Sequence, residues 1–402
     1  MSDRSVEHAT CLGCGCACDD ITLVVRRGRI ASAQQACSLG AAWFGDGSVS
    51  DEIRVRGRAA KLERALDEAA KILSGANRLL VYLAGDISCE AQRDAVAIGD
   101  RLRAAVDSLA GTAAASVLAA QRRGRAGATL GEVRHRADVI VFWGVDPGTR
   151  YPRFLSRYAS GPHDHRVIAV DVGAQRGPAD AELRVVIAKD GELDALGAMR
   201  AAVQGRAVGR EGVRAAVDLA ERLTQGRYVV LVADAEPEAG PGDPDRAEAL
   251  ITLAQALNGP TRCALSALRG GGNRSGADAV LTWQTGFPFA VDFAGGVPAY
   301  RPHAGAAELL ARGEVDTALV VGAHGTLPDG VSRGLARVSA VAIGPRASAA
   351  PFEPAIAVDT GVAGIHEGGT AFRMDDVPLP LRPALEGPRA AADVVRALRE
   401  RL

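Results

Sequence analysis

A short apolar strand followed by a tight turn constrains the fold of this chain more than any other feature. Residues 137–143 read ADVIVFW and run into GVDP at residues 144–147. A strand without alternating polar positions is buried on both faces, which is typical of a parallel sheet covered by helices. In an open α/β sheet the turn after such a strand lies at the carboxyl edge, where ligands bind. An ordinary strand and turn without a ligand is the alternative that the pattern leaves open.

Similar apolar runs recur along the chain and are separated by amphipathic segments. Strands that alternate with helices in this way predict a parallel α/β protein. The 402 residues are enough for two or three domains with substantial cores. We predict strands at residues 78–85, 137–143, 166–171, 227–233 and 314–322, helices at 59–74, 87–110, 246–258 and 389–402, and a long Gly-rich loop at 267–302. The predicted domains are 1–50, 51–225 and 226–402, and the last two can interleave in space.

The charge balance narrows the classes of partner. The chain has 47 Lys and Arg residues against 48 Asp and Glu residues, for a formal net charge of −1. Nucleic acid and anionic membrane surfaces are therefore not expected as partners. Neither a signal peptide nor an apolar run long enough to span a bilayer is found, so a cytoplasmic location is predicted.

The cysteines are concentrated near the start of the chain. Five of the seven cysteines precede residue 40, which in a cytosolic chain favours metal binding over disulfides. Cys11, Cys14 and Cys18 lie in one loop, and Cys37 follows a hairpin-like segment at residues 21–33. Four such thiolates suit a [4Fe–4S] cluster or a tetrahedral zinc ion. Buried thiols without a ligand are the alternative, and Cys16 is left over in either case.

Several long motifs resemble a known family. They are CLGCGCACDDI (11–21), QACSLG (35–40), TLGEVRHRADVIVFWGVDP (129–147), LTWQTGFPF (281–289) and GIHEGGTAFRMDDVP (364–378). They resemble the catalytic B subunit of formylmethanofuran dehydrogenase, of the molybdopterin family with tungsten or molybdenum. The resemblance implies a molybdopterin-oxidoreductase-like α/β fold with a small N-terminal Cys-rich β subdomain. It also implies that Cys11, Cys14, Cys18 and Cys37 are cluster ligands that relay electrons to the metal.

The chain departs from this family where the cofactor is bound. The family's metal-binding Cys or selenocysteine follows a Ser-Val pair, and here Leu118 stands in its place. Leucine offers no thiolate to a metal ion. The segment 171–175, DVGAQ, lacks the arginine that contacts the guanosine diphosphate tail of the pterin, although Arg176 lies close by. Asp190-Gly191-Glu192 replaces a Pro-Gly-Thr element. We therefore expect no catalytic residue, no pterin-binding residue and no tungsten or molybdenum pterin in this chain.

The turn at residues 323–328 also differs from the family, because it replaces an Asp-Pro type element where a second pterin would sit. His324 in this turn could serve as a ligand or a base. A lone histidine in a turn is more often a hydrogen-bonded structural group, and we expect that role.

The retained scaffold and the altered cofactor positions resemble the B subunit of the formyltransferase/hydrolase complex of aerobic methylotrophs. In that complex a formyl group passes from formyl-tetrahydromethanopterin to a methanofuran-like carrier and is hydrolysed to formate. The resemblance implies a non-redox, structural chain whose partners are the amidohydrolase-like A subunit (the hydrolase), the C subunit and the D subunit (the formyltransferase). It leaves open a [4Fe–4S] cluster or no cofactor, and a former cofactor cleft that is filled or serves as a channel. The alternatives are an active tungsten or molybdenum dehydrogenase subunit and an iron–sulfur electron-transfer subunit.

Overall fold

The protein is described from a computed structural model that covers residues 4–161, 165–209, 211–236 and 242–402. The chain divides into two compact units. Unit 1 comprises Met1–Gly111 together with Gly271–Leu402, and unit 2 comprises Thr112–Gly270. These bounds differ from the predicted domain boundaries at residues 50 and 225. The reason is that strands from distant parts of the chain pair in one sheet. Residues of the same unit can therefore lie far apart in sequence.

The strands of the described residues follow the predicted α/β pattern. In chain order they are β1 (Arg4–Ala9), β2 (Ile21–Arg26), β3 (Arg29–Gln34), β4 (Ile53–Val55), β5 (Arg58–Ala59), β6 (Leu79–Leu83), β7 (Ala105–Ser108), β8 (Val139–Trp143), β9 (Arg166–Val172), β10 (Leu183–Ile187), β11 (Tyr228–Asp234), β12 (Arg262–Leu268), β13 (Val291–Asp292), β14 (Ala299–Tyr300), β15 (Thr317–Val321), β16 (Ser339–Gly344), β17 (Ile356–Asp359), β18 (Gly369–Phe372) and β19 (Pro378–Leu381).

The α-helices lie between these strands. They are α1 (Ser38–Phe44), α2 (Leu62–Ser74), α3 (Cys89–Arg101), α4 (Ala114–Arg123), α5 (Leu130–Arg136), α6 (Pro147–Arg150), α7 (Glu192–Val203), α8 (Arg214–Leu223), α9 (Pro244–Leu257), α10 (Arg274–Thr285), α11 (Ala306–Ala311), α12 (Asp329–Leu335) and α13 (Ala391–Arg399). None of the helices in the described ranges is long and apolar enough to cross a membrane.

Unit 1 is built on a nine-stranded sheet in the order β14-β13-β7-β6-β15-β16-β17-β4-β5. Its central strands, β7 to β17 in that order, run parallel. Along β6 the side chains of Leu79, Val81 and Leu83 enter one core with α2, α3, α10 and α13, while Leu80 and Tyr82 enter another with α11 and α12. Burial of both faces explains why the strand is apolar throughout.

The N-terminal residues add a three-stranded antiparallel sheet, β1-β2-β3, to unit 1. The predicted hairpin at residues 21–33 is confirmed as β2 and β3. The loop between β1 and β2 is held against the rest of unit 1 by backbone bonds, because Gly272 N–H donates to Leu12 O over 2.8 Å and Met374 N–H donates to Gly15 O over 3.0 Å. The predicted separate Cys-rich subdomain is thus not one of the two compact units.

Unit 2 contains a five-stranded parallel sheet in the order β10-β9-β8-β11-β12. The buried strand predicted at residues 137–143 is confirmed as β8, at the centre of this sheet. The chain leaves β8 through β9 and β10 on one side and returns to β11 on the other side. The strand order therefore reverses between β8 and β11, and such a reversal marks the ligand crevice in open α/β sheets.

Two predicted elements are wrong. The helix predicted at residues 87–110 ends at Arg101, because Arg103 adopts a left-handed backbone with φ of 53° and turns the chain into β7. The loop predicted at residues 267–302 contains the helix α10. Its glycine-rich start suggested an irregular segment, but Asn273 takes the left-handed conformation (φ 62°) immediately before the helix begins.

Candidate functional site

The N-terminal cysteines gather in the loop between β1 and β2 and at the start of α1. Cys11 N–H donates to Cys18 O over 2.9 Å and closes the loop. Cys37 is the N-cap residue of α1. A Cβ built at Gly40 would lie 3.2 Å from Cys11 Sγ and 3.8 Å from Cys37 Sγ, so a glycine here leaves room for the Cys11 sulfur and lies in contact distance of both. The structure thus places the predicted ligands from the loop and from α1 side by side.

Backbone amides point at two of these sulfurs. Gly13 N–H donates to Cys11 Sγ and Gly40 N–H donates to Cys37 Sγ, each over 3.4 Å. Burial raises the pKa of the Cys11 thiol, and the neighbouring Cys14, Cys18 and Cys37 raise it further. A hydrogen bond from the side chain of Cys16 instead lowers the pKa of Cys14. The thiols therefore act on one another electrostatically as a group.

The cysteine group does not form the ready-made site that a single metal ion needs. Within the part of the chain that the structure describes, no group of three or more His, Cys, Asp or Glu side chains could hold a metal ion. Zinc needs all four sulfurs on one centre, at about 2.3 Å. A [4Fe–4S] cluster needs one sulfur per iron, and amide donors to the sulfurs are a feature of such sites. Metal binding by Cys11, Cys14, Cys18 and Cys37 stays a prediction.

The crevice of unit 2 is occupied by an ion pair in the region where β8 ends. Asp243 caps α9 and Pro244 begins it, which places Arg246 in the first turn. Arg246 Nε donates to Glu192 Oε1 over 2.7 Å, and its Nη2 donates to Trp143 O over 3.1 Å. Trp143 Nε1 donates to the same Glu192 oxygen over 2.7 Å. Both charged side chains are nearly buried, with 13% and 10% of their surface exposed.

Two further arginines in this region are also neutralised by carboxylates. Arg150 Nη1 pairs with Asp234 and donates to Glu236 O over 2.8 Å. Arg269 Nε lies 3.4 Å from Glu236 Oε1, and Gly270 N–H donates to Glu236 Oε2 over 3.1 Å. A cavity of about 40 Å³ remains between Ser116, α9 and the ends of β11 and β12. The positive charge that would attract a phosphate group is thus compensated within the chain.

The segment after β9 shows the same internal pairing. Asp171 Oδ1 accepts hydrogen bonds from Gly177 N–H (2.9 Å) and Arg184 Nη1 (2.6 Å). Burial opposes ionisation of Asp171, but these two donors outweigh it and lower the pKa of the carboxyl group. Arg176 donates to Gly173 O over 2.6 Å and lies 3.9 Å from Asp171. The arginine nearest to the expected guanosine-contact position is therefore engaged with its own loop.

Comparison with known proteins covers almost the whole chain. The B subunit of tungsten-containing formylmethanofuran dehydrogenase 2 from Methanocaldococcus jannaschii is 32% identical over 96% of this chain and 95% of its own. The corresponding subunit of Methanococcus maripaludis is 31% identical over 95% and 94%. This chain belongs to the family of formylmethanofuran dehydrogenase B subunits. No protein-family model matches it.

A solved structure extends the comparison of this B-subunit family member. One chain in the X-ray structure of the formyltransferase/hydrolase complex (FhcABCD) from Methylorubrum extorquens, determined with methylofuran, has a TM-score of 0.71. It is 26% identical, and the match covers 87% of our chain and 98% of that chain. The shared architecture therefore includes both compact units and is not confined to one motif.

The position that the B-subunit resemblance assigns to the metal ligand lies on α4. Leu118 is half-buried in this helix, and its neighbour Val117 packs against a small cluster of Ala113, Ala235 and Ala267. The side chain of Leu118 carries no atom that can coordinate a metal. Ser116, on the same helix, lines the small cavity of unit 2. Apolar contacts thus hold this part of α4 in place.

His324 is a packing residue in the core of unit 1. Its side chain is 1% exposed, and its ring lies 5.8 Å from the ring of Phe352. Burial lowers its pKa to about 4, against smaller opposing effects of Val320 and Asp359, so the ring is neutral near pH 7. Neither ring nitrogen meets hydrogen-bond geometry with a partner in the described residues, although the backbone of Val320 lies near enough to act on the ring. The expected structural role of His324 thus rests on burial and packing rather than on a well-formed hydrogen bond.

Sequence reasoning missed the residues that close the crevice of unit 2. The sequence marks Glu192 only as a departure from the family, and Arg246 only as part of a helix. One signal was available, because Asp243-Pro244 predicts a helix start and so places Arg246 near a sheet edge. The partner of Arg246 lies 54 positions away, and no local pattern reveals such a pairing.

Proposed function

We propose that this chain is the non-redox, structural B subunit of a formyltransferase/hydrolase complex. Such a complex moves a formyl group from formyl-tetrahydromethanopterin to a methanofuran-like carrier and releases formate. The chemistry belongs to the partners, which are the D subunit (a formyltransferase), the amidohydrolase-like A subunit and the C subunit. This chain contributes the frame on which the hydrolase is held. Its proposed location is the cytoplasm.

The observation that carries this proposal is the ion pair between Arg246 and Glu192. A nucleotide-type cofactor at the reversal of strand order needs free donors for its phosphates. Here the arginine of α9 is bound to a carboxylate and to the backbone of β8, and the free volume is about 40 Å³. Binding a cofactor tail would require breaking a nearly buried ion pair, which costs several kcal/mol.

Two further observations support the scaffold role. Leu118 stands where the family carries a metal-binding residue, while the helix around it is retained. The fold matches 98% of a chain from the FhcABCD complex, a complex whose name describes formyl transfer and hydrolysis. A chain that keeps its architecture and loses its coordinating side chain fits a structural role better than a redox role.

The deciding experiment is elemental analysis of the native complex that contains this chain. Tungsten, molybdenum, iron and zinc are measured per copy of the chain, and zinc is assigned by comparison with the isolated hydrolase. We expect neither tungsten nor molybdenum above background. Stoichiometric tungsten or molybdenum that stays with this chain after dissociation would overturn the proposal and restore the dehydrogenase. The 32% identity to a tungsten-containing relative is the observation that favours that alternative.

A second candidate function is an iron–sulfur electron-transfer subunit. The amide donors from Gly13 and Gly40 to the sulfurs of Cys11 and Cys37 favour it. In that case four irons per chain are expected, with an electron paramagnetic resonance signal after reduction. The Cys37→Ser variant should lose this signal, whereas Cys263→Ser, a buried cysteine in β12, should keep it. Iron below one atom per chain would eliminate this candidate.

A further inference from the structure

Unit 1 has its own reversal of strand order, and there the crevice is open. From β6 the chain passes to β7 on one side, and β15 then pairs with β6 on the other. A cavity of about 480 Å³ lies where β6, β15, β16 and β17 end. Residues 42–49, at the end of α1, form its opposite wall. The comparable crevice in unit 2 retains about 40 Å³, so of these two crevices the one in unit 1 keeps a volume suited to a small organic molecule.

One wall of this cavity presents a carboxyl group with a free oxygen. Asp86 follows β6, and its Oδ1 accepts a hydrogen bond from Trp43 Nε1 over 3.0 Å. Its Oδ2 has no hydrogen-bond partner in the part of the chain that is described. The backbone fixes the residue, since Asp86 N–H donates to Gly272 O and Asp86 O accepts from Ala363 N–H. Burial raises the pKa of Asp86, against opposing effects of Trp43 and Arg274. A cationic donor at Oδ2 would relieve this cost.

The opposite charge lies on a second wall. Arg346 follows β16 in a left-handed conformation, with φ of 55°. Its side chain is exposed and forms neither a hydrogen bond nor an ion pair with the residues that the structure describes. No ion pair joins Asp86 to Arg346 within this described set. The cavity therefore has a carboxylate oxygen without a hydrogen-bond donor among the described residues, Oδ2 of Asp86, and an exposed guanidinium group, that of Arg346, at separate places.

The other polar groups of the cavity are occupied. Asp46 is bound by Arg29 and by Ser48 N–H. His366 accepts from Val362 N–H at Nδ1 (3.2 Å) and lies 2.8 Å from Gly47 O at Nε2, so both nitrogens are used. The remaining lining is largely apolar and includes Val49, Pro345, Val362 and Ile365. The groups left to bind a ligand are one carboxylate oxygen, one guanidinium group and the apolar lining.

From this arrangement we propose that the cavity binds a small amino acid-like zwitterion, with its ammonium group on Asp86 and its carboxylate on Arg346. The guanidinium can hold a carboxylate through two hydrogen bonds, and the methylene groups of the ligand lie against the apolar lining. The proposal does not depend on the scaffold function, because it concerns a different unit and a different set of residues.

Titration calorimetry on the full chain with ω-amino acids tests the proposal. The series runs from glycine to 6-aminohexanoate and measures the span between the two charged groups. Hexylamine and hexanoate, each with one charged end, are the matched controls. One chain length should bind at least about tenfold more tightly than either one-ended compound, since each charged contact contributes that much or more. A series without measurable binding at any length would overturn the proposal.

Variants separate the two ends of the ligand. Asp86→Asn, which keeps an acceptor for Trp43, should weaken the best ω-amino acid about tenfold and leave hexanoate unchanged. Arg346→Ala should also weaken the best ω-amino acid about tenfold, but should leave hexylamine unchanged. Arg337→Ala removes an exposed arginine at the end of α12, away from the cavity lining, and should change nothing. Equal affinity for all four proteins would show that binding occurs elsewhere and would also overturn the proposal.

Discussion

Glu192 Oε1 accepts hydrogen bonds from both Arg246 Nε and Trp143 Nε1, each over 2.7 Å. One carboxylate oxygen thus joins the first residue of α7, the first turn of α9 and the last residue of β8. These elements surround the reversal of strand order in unit 2. In this protein, hydrogen bonds that link three structural elements occupy the position of the ligand crevice of an open α/β sheet. This is consistent with the structural role proposed for the chain.

Removing the charge of Glu192 should destabilise unit 2 strongly. Glu192→Gln leaves Arg246 nearly buried without a counter-charge, and breaking such a pair costs about 3 kcal/mol or more in the free energy of unfolding. Urea denaturation followed by circular dichroism measures the change. Asp218→Asn is the control, because its pair with Arg214 is exposed and worth well under about 1 kcal/mol. Similar losses for both variants would contradict a special role of Glu192.

Asp107 should hold the segment between α10 and α11 in place. Its Oδ1 accepts from Ala290 N–H (3.2 Å) and its Oδ2 from Ala306 N–H (2.7 Å). Asp107→Ala leaves two buried amides unpaired, at about 1–3 kcal/mol each. Hydrogen exchange should therefore accelerate at Ala290 and Ala306. Asp100→Asn on the exposed face of α3 should leave their exchange unchanged, and unaltered exchange in Asp107→Ala would refute the assignment.

Three strands of unit 2 could be predicted because each is a continuous apolar run, whereas β10 and β12, which contain polar or charged residues, lie outside the predicted strands. Residues 137–143, 166–171 and 227–233 correspond to β8, β9 and β11 within one or two residues. Burial on both faces leaves a signal in the local composition, which a sequence window can detect. The predicted helix 246–258 likewise corresponds to α9, although the helix begins two residues earlier, at Pro244.

The boundaries of the units could not be predicted in the same way. β6 pairs with β15, where Leu79 stands opposite Thr317, so the sheet of unit 1 joins segments separated by the whole of unit 2. Such pairing depends on side-chain packing between distant segments and leaves no local pattern. Only part of the site could be predicted. The cysteines are found by their spacing, whereas the pairing of Glu192 with Arg246 exists only in the folded chain.

His324 should make the protein sensitive to acid. Burial lowers its pKa from 6.5 to about 4, so the native state favours the neutral ring. The stability that this provides is complete above pH 6.5 and is lost as the pH falls through the folded pKa, by about 3 kcal/mol in total. His324→Leu should show a correspondingly smaller loss of unfolding free energy between pH 6.5 and 4. His303→Leu removes an exposed histidine and should follow the wild type; identical pH profiles for all three proteins would contradict the prediction.

Gly271 should be needed for docking of the cysteine loop. A Cβ built at this position would lie 2.2 Å from Leu12 O and 2.7 Å from Cys14 N, and backbone atoms cannot move aside without disturbing the loop. Gly271→Ala should therefore cost about 2 kcal/mol and expose thiols that are buried in the native protein. Their reaction with a thiol reagent under native conditions should accelerate at least tenfold. Gly295→Ala, where a Cβ meets open space, should react like the wild type. If Gly271→Ala reacted equally slowly, the loop would be held by contacts other than those with residues 271 and 272.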